Sequence, residues 1–519
     1  MEWMAAAICG ILGTVLTLRT LGWIQHAGYR IQLNKKFRAH LLLLVCLSLA
    51  FLSLTAACYS IVAVFKAEYV EWILLGLFSL TSALFILCTW KKSPALLKFT
   101  PRAVRLLCAL VVVHFLISRL LIFLGGLVQV SGAGLDFSLL FILPVLVLPA
   151  AAVALISVKP VESAVARHFI SKAKKKLDER QGLIRIGITG SYGKTSVKNM
   201  IAALLGESAY ATPASFNTPM GICRAVNDMP EGVRYFVCEM GARRPGDIAE
   251  LCGIVRPRVG VITGIAPQHI QTFGTIDNIV ATKGELIENL PCNGIAVFNG
   301  YDEKAAEMYI SCPIRRRYLT KRGVHYENFR LTPRGSVFDL VTREERVECR
   351  LLLIGRHNIE NFCLAAQVCL ALGMTLEDVA ARCENIRPVP HRLEIIDTGR
   401  GITVIDDGYN SNVRGAKAAL EALSLFDGRK IVAAQGFAET GSKDEELNTR
   451  LGEQIAEVAD IAILIGVKAK LIEQGLALHY FPRENIYIVS SLSEAQKLFG
   501  KILRAGDALL IENDLPENV

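Results

Sequence analysis

The pattern of hydrophobic and polar positions changes about a third of the way along the chain. Up to residue 157 apolar residues run almost unbroken through five stretches, about 4–23, 40–65, 71–90, 106–130 and 136–157. Each reaches or exceeds the roughly 20 residues that a helix needs to cross a hydrocarbon core. From about residue 183 the apolar runs become short. "LIRIGIT", "YFVCEM", "VGVITGI" and "GIAVFN" read as buried strands, and helical patterns such as "TSVKNMIAALLG" lie between them. That alternation predicts a parallel α/β sheet.

Residues 311–353 are richer in charged and β-branched residues and predict an antiparallel insertion or edge. "NIENFCLAAQVCLALGM" places its apolar positions at helical spacing, and the prolines of "RPVPHRLE" mark a boundary. Beyond it "GITVIDD", "KIVAAQG", "IAILIG" and "NIYIVS" again alternate with helices. The expected organisation is an α-helical membrane region of about five spans (1–158) and a basic cytoplasmic linker (159–182), followed by α/β. The α/β part divides into a central parallel-sheet domain with a phosphate-binding loop (183–386) and a smaller Rossmann-like C-terminal domain (387–519).

Charge supports the membrane reading. Arg30, Lys35, Lys36 and Arg38 follow the first stretch, and Lys91, Lys92, Lys98, Arg102 and Arg105 follow the third. The alternate loops hold Lys66 and the uncharged-to-acidic "SGAGLD", and a strongly basic segment begins at Lys159. By the positive-inside rule the protein is expected to be a multi-pass cell-membrane protein, with everything after residue 158 in the cytoplasm. The first stretch has no basic start and no small-residue cleavage site, so it reads as a span rather than a signal peptide. Much of the net charge of +9 lies in flanks that meet anionic lipid, so the lipid bilayer is an expected partner and nucleic acid is not. His114 and Arg119 fall inside the fourth stretch, where a functional role and a bundle-facing or snorkelling one both stand open. The 14 cysteines include no Cys-x-x-Cys pair, which points to free thiols rather than a zinc ribbon or disulfide framework.

The chemistry concentrates in Gly190-Ser191-Tyr192-Gly193-Lys194-Thr195, which joins a strand to a helix. Amides and the dipole at a helix start favour an anion. The glycines permit close backbone approach, Lys194 suits β- and γ-phosphate oxygens, and the Thr195 hydroxyl suits a nucleotide-bound Mg²⁺. Ile188 stands where the strict phosphate-loop pattern has its first glycine.

With that shorter spacing, "ITGSYGKTSVKNM" resembles the loop of the Mur ligases. "CEMGARRPGDIAEL", "GVITGIAPQHIQTFGTIDNIVATKGELIENLP", "GRHNIENFCLAA", "PVPHRLE" and "IDDGYNSNVRGAKAAL" continue the resemblance in order, over about residues 183–460. The blocks are most similar to the branch that adds D-alanyl-D-alanine to a UDP-muramoyl tripeptide. The resemblance implies an ATP- and Mg²⁺-dependent enzyme of peptidoglycan-precursor synthesis that activates a carboxylate as an acyl phosphate and joins it to a D-alanyl-D-alanine-like amine. It implies catalytic roles for Lys194, His269 and Lys283, and metal ligation by Thr195, Glu239, His269 and a Lys283 carbamylated by CO₂. It further places Gly190, Ser191, Gly193, Lys194, Thr195, Ser196, Asn358, Asn361, Arg392 and Asp407 at the nucleotide. Asn217, Thr218 and Gly221 fall to the acyl substrate, and Asp406, Tyr409, Asn410 and Asn412 to the amine. Without the resemblance Lys283 reads as a solvated helix residue, His269 as a packed histidine and "DDGYNSN" as turn chemistry.

The chain departs from the family pattern in several places. Membrane stretches replace the soluble domain that holds the UDP end of the substrate. Gln435-Gly436-Phe437 stands where Gly-Asp-Met is usual, the end "GDALLIENDLPENV" lacks Lys-Gly-Ser, and Arg243-Arg244 replaces Asn-His. These bear on which substrates are joined. They leave open a lipid-linked or other membrane-delivered acceptor, and also a nucleotide-binding membrane scaffold without turnover. A transporter reading lacks the signature segments of a transport ATPase.

Overall fold

The computed structural model describes residues 2–26, 97–127, 129–130, 133–134, 138–213, 216–266, 273–332, 335–388, 393–408, 413–437 and 443–512, with residues 29, 31, 38–39, 41–46, 48–49 and 76 before residue 97. The chain divides into two compact units, Met1–His168 and Phe169–Val519.

In the first unit three helices are long and apolar enough to cross a membrane, by length and composition: α1 (Glu2–His26), α2 (Pro101–Leu127) and α3 (Val147–Glu179). The stretch at 40–65 is described only at 41–46 and 48–49, and the stretch at 71–90 only at Gly76. The fifth stretch differs from expectation: a 3₁₀ turn covers Ser138–Ile142, and the helix starts only at Val147. Proline accounts for that start. Pro144 precedes the helix and Pro149 falls in its first turn, where a missing N–H breaks no intrahelical bond. The basic segment is helical rather than an unstructured linker, because α3 runs through it, across Pro160, to Glu179.

α1 and α2 pack together, with Leu21 and Ile24 in one cluster with Leu106 and Leu110. The His114 ring lies against Thr14 and Thr17, its Nε2 3.3 Å from the Thr17 hydroxyl and its Nδ1 2.9 Å from the Leu110 carbonyl. Arg119 donates to Glu2 at 2.6 Å and stacks over Trp3. Both ionisable residues of this stretch thus bind neighbouring side chains.

The second unit is built around two six-stranded sheets. The first contains β1 (Ile184–Thr189), β2 (Ala209–Ala211), β3 (Tyr235–Glu239), β4 (Val259–Ile262), β5 (Ile295–Phe298) and β6 (Arg316–Leu319), in the order β2-β3-β1-β4-β5-β6, all parallel. Its four inner strands, β3, β1, β4 and β5, are largely buried on both faces, as parallel strands covered by helices must be. The covering helices include α4 (Lys194–Leu205), α5 (Pro219–Asp228), α6 (Asp247–Val255), α7 (Ile276–Glu288) and α8 (Glu303–Ser311). Within this unit the end of α3 contributes Ala173 and Leu177 to the same core as Ile222, Val226 and Phe236. Lys176 also donates to the carbonyls of Asn227, in the last turn of α5, and Met229, just beyond it.

The expected antiparallel insertion is β7 (His325–Thr332), β8 (Gly335–Val341) and β9 (Arg346–Leu351). It packs Phe338 edge-on against Phe362 of α9 (Arg356–Ala371), which is followed by α10 (Leu376–Cys383).

The second sheet contains β10 (Glu394–Asp397), β11 (Thr403–Asp407), β12 (Lys430–Ala434), β13 (Ile461–Ile465), β14 (Ile486–Val489) and β15 (Ala508–Glu512). Its order is β10-β11-β15-β12-β13-β14; β10 is an antiparallel edge, which makes this a mixed sheet rather than a purely parallel one. α11 (Val413–Leu423), α12 (Asp444–Ala456), α13 (Ala469–Leu478) and α14 (Leu492–Ile502) accompany it.

The described cysteines are free thiols. Burial pushes Cys223 up to about 11 and Cys252 up to about 12, so these two act as packing groups.

Candidate functional site

The site forms where β1 ends and α4 begins, at the carboxyl edge of the parallel sheet. Two glycines make the loop possible. Gly190 takes φ 153°, and a Cβ there would overlap the Thr263 hydroxyl; Gly193 takes φ 78°, and a Cβ would sit 2.9 Å from Asn361 Oδ1. The second contact brings Asn361, on α9, against the loop. Asn358, one turn earlier, is buried and donates to the Ile354 carbonyl at 2.8 Å.

The β4 end holds the loop in place. Ser191 N–H donates to the Gly264 carbonyl at 2.7 Å, the Ser191 hydroxyl to the Ala266 carbonyl at 3.0 Å, and the Thr263 hydroxyl to the Tyr192 carbonyl. The Tyr192 phenol donates to Asp302 at 2.6 Å, and Asp302 also caps α8 through the Ala305 N–H. Lys194 donates back to the Gly190 and Ser191 carbonyls at 2.7 and 3.1 Å, so its ammonium lies over the loop that its own helix follows. Ser196 sits half-buried in the first turn of α4.

Glu239, at the end of β3, is the junction of the site. It is buried, its Oε2 accepts the Thr195 hydroxyl at 2.9 Å, and its Oε1 accepts Asn217 Nδ2 at 3.2 Å. Asn217 in turn accepts the Gly241 N–H through its carbonyl at 3.0 Å, and the adjacent Thr218 caps α5 by accepting the Gly221 N–H at 3.4 Å. One carboxylate therefore links the phosphate-type loop to the segment 216–221. The Thr195–Glu239 pair is a hard-oxygen donor set of the kind Mg²⁺ takes alongside phosphate oxygens and water. No cage of three or more His, Cys, Asp or Glu residues is gathered among the described residues.

Lys283, on α7, is buried to 3% exposure instead of solvated. Burial, reinforced by the nearby Lys194 ammonium, pushes its pKa down to about 7 against the opposing pull of Asp247 and Glu285. At neutral pH much of it is a free amine close to the Lys194 charge.

Asp406 and Asp407 end β11 in the other sheet, where they accept the Gly408 and Leu393 N–H groups, each at 3.1 Å. His269, Arg392, Tyr409, Asn410 and Asn412 lie outside the described residues. Sequence reasoning missed Lys198. It is 1% exposed, donates to the Thr212 carbonyl at 2.8 Å and lies 3.6 Å from Glu239 Oε2. The available signal was its spacing of four from Lys194, which puts both on one helix face.

Residues 188–369 match the Mur ligase middle domain and residues 391–512 match the Mur ligase, glutamate ligase domain. Over 290 residues the chain is 31% identical to the UDP-N-acetylmuramoyl-tripeptide–D-alanyl-D-alanine ligase of Escherichia coli (strain K12), covering 54% of this chain and 64% of the relative. It is 34% identical over 276 residues to the protein of that name from Mycobacterium tuberculosis (strain H37Rv), covering 51% and 53%. The chain thus spans about half to two thirds of the length of these relatives. The MurF ligase of Thermotoga maritima in complex with ADP is similar in structure, with a TM-score of 0.57 at 25% identity over 67% of this chain and 80% of that one. A MurF crystal structure from Acinetobacter baumannii gives 0.61 at 25% identity over 67% and 77%. With both domains matched in order around a glycine loop that faces a buried carboxylate, the chain belongs to the Mur ligase family.

Proposed function

We propose that this protein is an ATP- and Mg²⁺-dependent carboxylate–amine ligase of peptidoglycan-precursor synthesis, adding D-alanyl-D-alanine to a muramoyl tripeptide through an acyl phosphate. The observation that carries the reading is the Thr195–Glu239 hydrogen bond at the start of α4. It puts a hydroxyl and a carboxylate together beside an amide-lined anion cradle. The relatives named for this reaction support the choice of substrates, and the ADP complex of a structural relative supports the choice of nucleotide.

On this reading the α4 amides and Lys194 bind the polyphosphate. A substrate carboxylate oxygen attacks the γ-phosphorus and ADP leaves. The amine then attacks the acyl carbon, loses a proton and expels inorganic phosphate. The Asn217 segment orients the acyl substrate, and Asn358, Asn361, Arg392 and Asp407 hold the nucleoside. Gly221 and Thr218 shape the acyl loop; Asp406, Tyr409, Asn410 and Asn412 receive the amine. Mg²⁺, when bound, supplies charge neutralisation at the phosphates, and Thr195, Glu239, His269 and carbamylated Lys283 would hold it. The depressed Lys283 supports that modification, since a neutral amine attacks CO₂, forming an N–C bond and releasing a proton. ATP turnover by purified full-length chain tests the reading. ADP formation should require both a muramoyl tripeptide and D-alanyl-D-alanine, and ADP formation indifferent to both overturns it.

α1, α2 and α3 favour a second element of the proposal, a membrane-bound ligase whose catalytic unit is cytoplasmic and whose acceptor arrives on a lipid. Comparing lipid-linked with UDP-linked muramoyl tripeptide tests it. A lower KM for the lipid-linked form is expected, and exclusive use of the UDP form contradicts it.

A further inference from the structure

Lys198 is placed where an α/β protein ordinarily carries an apolar residue. Its helix neighbours Val197 and Ile201 are fully buried, and so is Lys198 itself. A buried ammonium persists only when it is paired and hydrogen-bonded. Here the pairing is specific. The Lys198 ammonium donates to the Thr212 carbonyl at 2.8 Å and lies 3.6 Å from Glu239 Oε2. The hydroxyl of the same Thr212 accepts the Glu239 N–H at 3.1 Å. One residue just beyond β2 therefore fixes both the backbone of Glu239 and the cation beside its carboxylate. The remaining carboxylate contacts, Thr195 at 2.9 Å and Asn217 at 3.2 Å, are neutral donors that reorient readily. The buried ammonium adds a charge attraction that the two neutral donors do not supply.

We propose that Lys198 is a positioning residue for the cation site of this ligase, holding the Glu239 carboxylate against the Thr195 hydroxyl so that both present oxygen to one divalent ion. The proposal rests on the reading of Glu239 as a metal ligand. Lys198 acts on the site through Glu239. It stands apart from Lys194, whose ammonium lies over the phosphate loop. Two lysines one turn apart on one helix thus serve different partners, one the nucleotide and the other the carboxylate.

Calorimetry of ADP binding to the full-length protein, with and without Mg²⁺, tests this without turnover. Lys198→Gln keeps a donor for the Thr212 carbonyl but removes the charge. Lys198→Arg keeps the charge, and with it the fold, but displaces the donor. In Lys198→Gln the gain in ADP affinity that Mg²⁺ confers should fall by about 10- to 100-fold, as for outer-shell partners of metal ligands generally. Lys198→Arg should lose part of that gain. Affinity in the absence of Mg²⁺ should stay at the wild-type value in both, and in a Glu239→Gln background a Lys198 substitution should add nothing.

A wild-type Mg²⁺ effect in whichever of the two variants folds overturns the proposal. So does an equal loss of affinity with and without Mg²⁺, which marks a packing role. If Glu239→Gln itself leaves the Mg²⁺ effect intact, the metal-ligand reading falls as well. If Glu239→Gln abolishes the effect and the Lys198 variants retain it, only the role of Lys198 falls.

Discussion

The two sheets of the ligase unit have the same strand number and nearly the same parallel logic, but their carboxyl edges are furnished differently. At the first sheet, Thr195, Lys198 and Asn217 each reach Glu239 through side chains, and Lys198 and Glu239 are almost fully buried. At the second sheet, Asp406 and Asp407 direct carboxylate oxygens to backbone N–H groups of neighbouring turns. The difference shows what a preformed site requires. A glycine loop admits the ligand, and a buried charge pair fixes the oxygens before the ligand arrives. Carboxylates that accept from turn N–H groups hold their own segment of backbone in place.

If the chemistry belongs to the first edge, losses there should exceed losses at the second. The largest effect is expected for Lys194→Ala, about 10²- to 10³-fold in acceptor-dependent ADP formation, because it removes a charge aimed at the transferring group. Steady-state kinetics checks it, and a loss below tenfold would move the chemistry elsewhere. Next is Gly190→Ala, where a Cβ overlaps Thr263 at positive φ. It should destabilise the ligase unit by about 1–3 kcal/mol in chemical denaturation. Asp407→Asn, at the second edge, should raise the KM for ATP by about tenfold, the worth of one hydrogen bond to a charged group, with kcat little changed.

The last effect is a pH dependence and concerns Lys283. Its pKa is lowered to about 7 in the folded chain from an ordinary value of 10.5, so the unfolded chain binds the extra proton between those values. Its contribution to stability is therefore complete above the unfolded value and is lost as pH falls through about 7. In CO₂-free buffer the slope attributable to this group is at most about 1.4 kcal/mol per pH unit. Denaturation of wild type against Lys283→Met across that range measures it, and identical slopes would show that Lys283 is not depressed.

Much of this was readable from periodicity and local motifs. The strand "LIRIGIT", the helix closing at Gly206, the antiparallel insertion and the phosphate loop follow from short-range rules of burial, capping and glycine placement. Three features were not. The extension of α3 through the basic segment depends on burial of Ala173 and Leu177 in a core made by later residues. Lys283 looks solvated because its burial comes from the surrounding fold, and Lys198 finds its partners on β3 and beyond β2, segments that sequence alone cannot bring together. The roles expected of His269, Arg392, Tyr409, Asn410 and Asn412 concern segments outside the described residues.

Transfer of the γ-phosphoryl group to an acid leaves an atomic trace. A muramoyl tripeptide labelled with ¹⁸O in its terminal carboxylate, incubated with ATP, Mg²⁺, D-alanyl-D-alanine and the purified chain, should release phosphate carrying one ¹⁸O for each amide formed. Amide formation with unlabelled phosphate, or ATP cleavage without amide, contradicts the proposed chemistry.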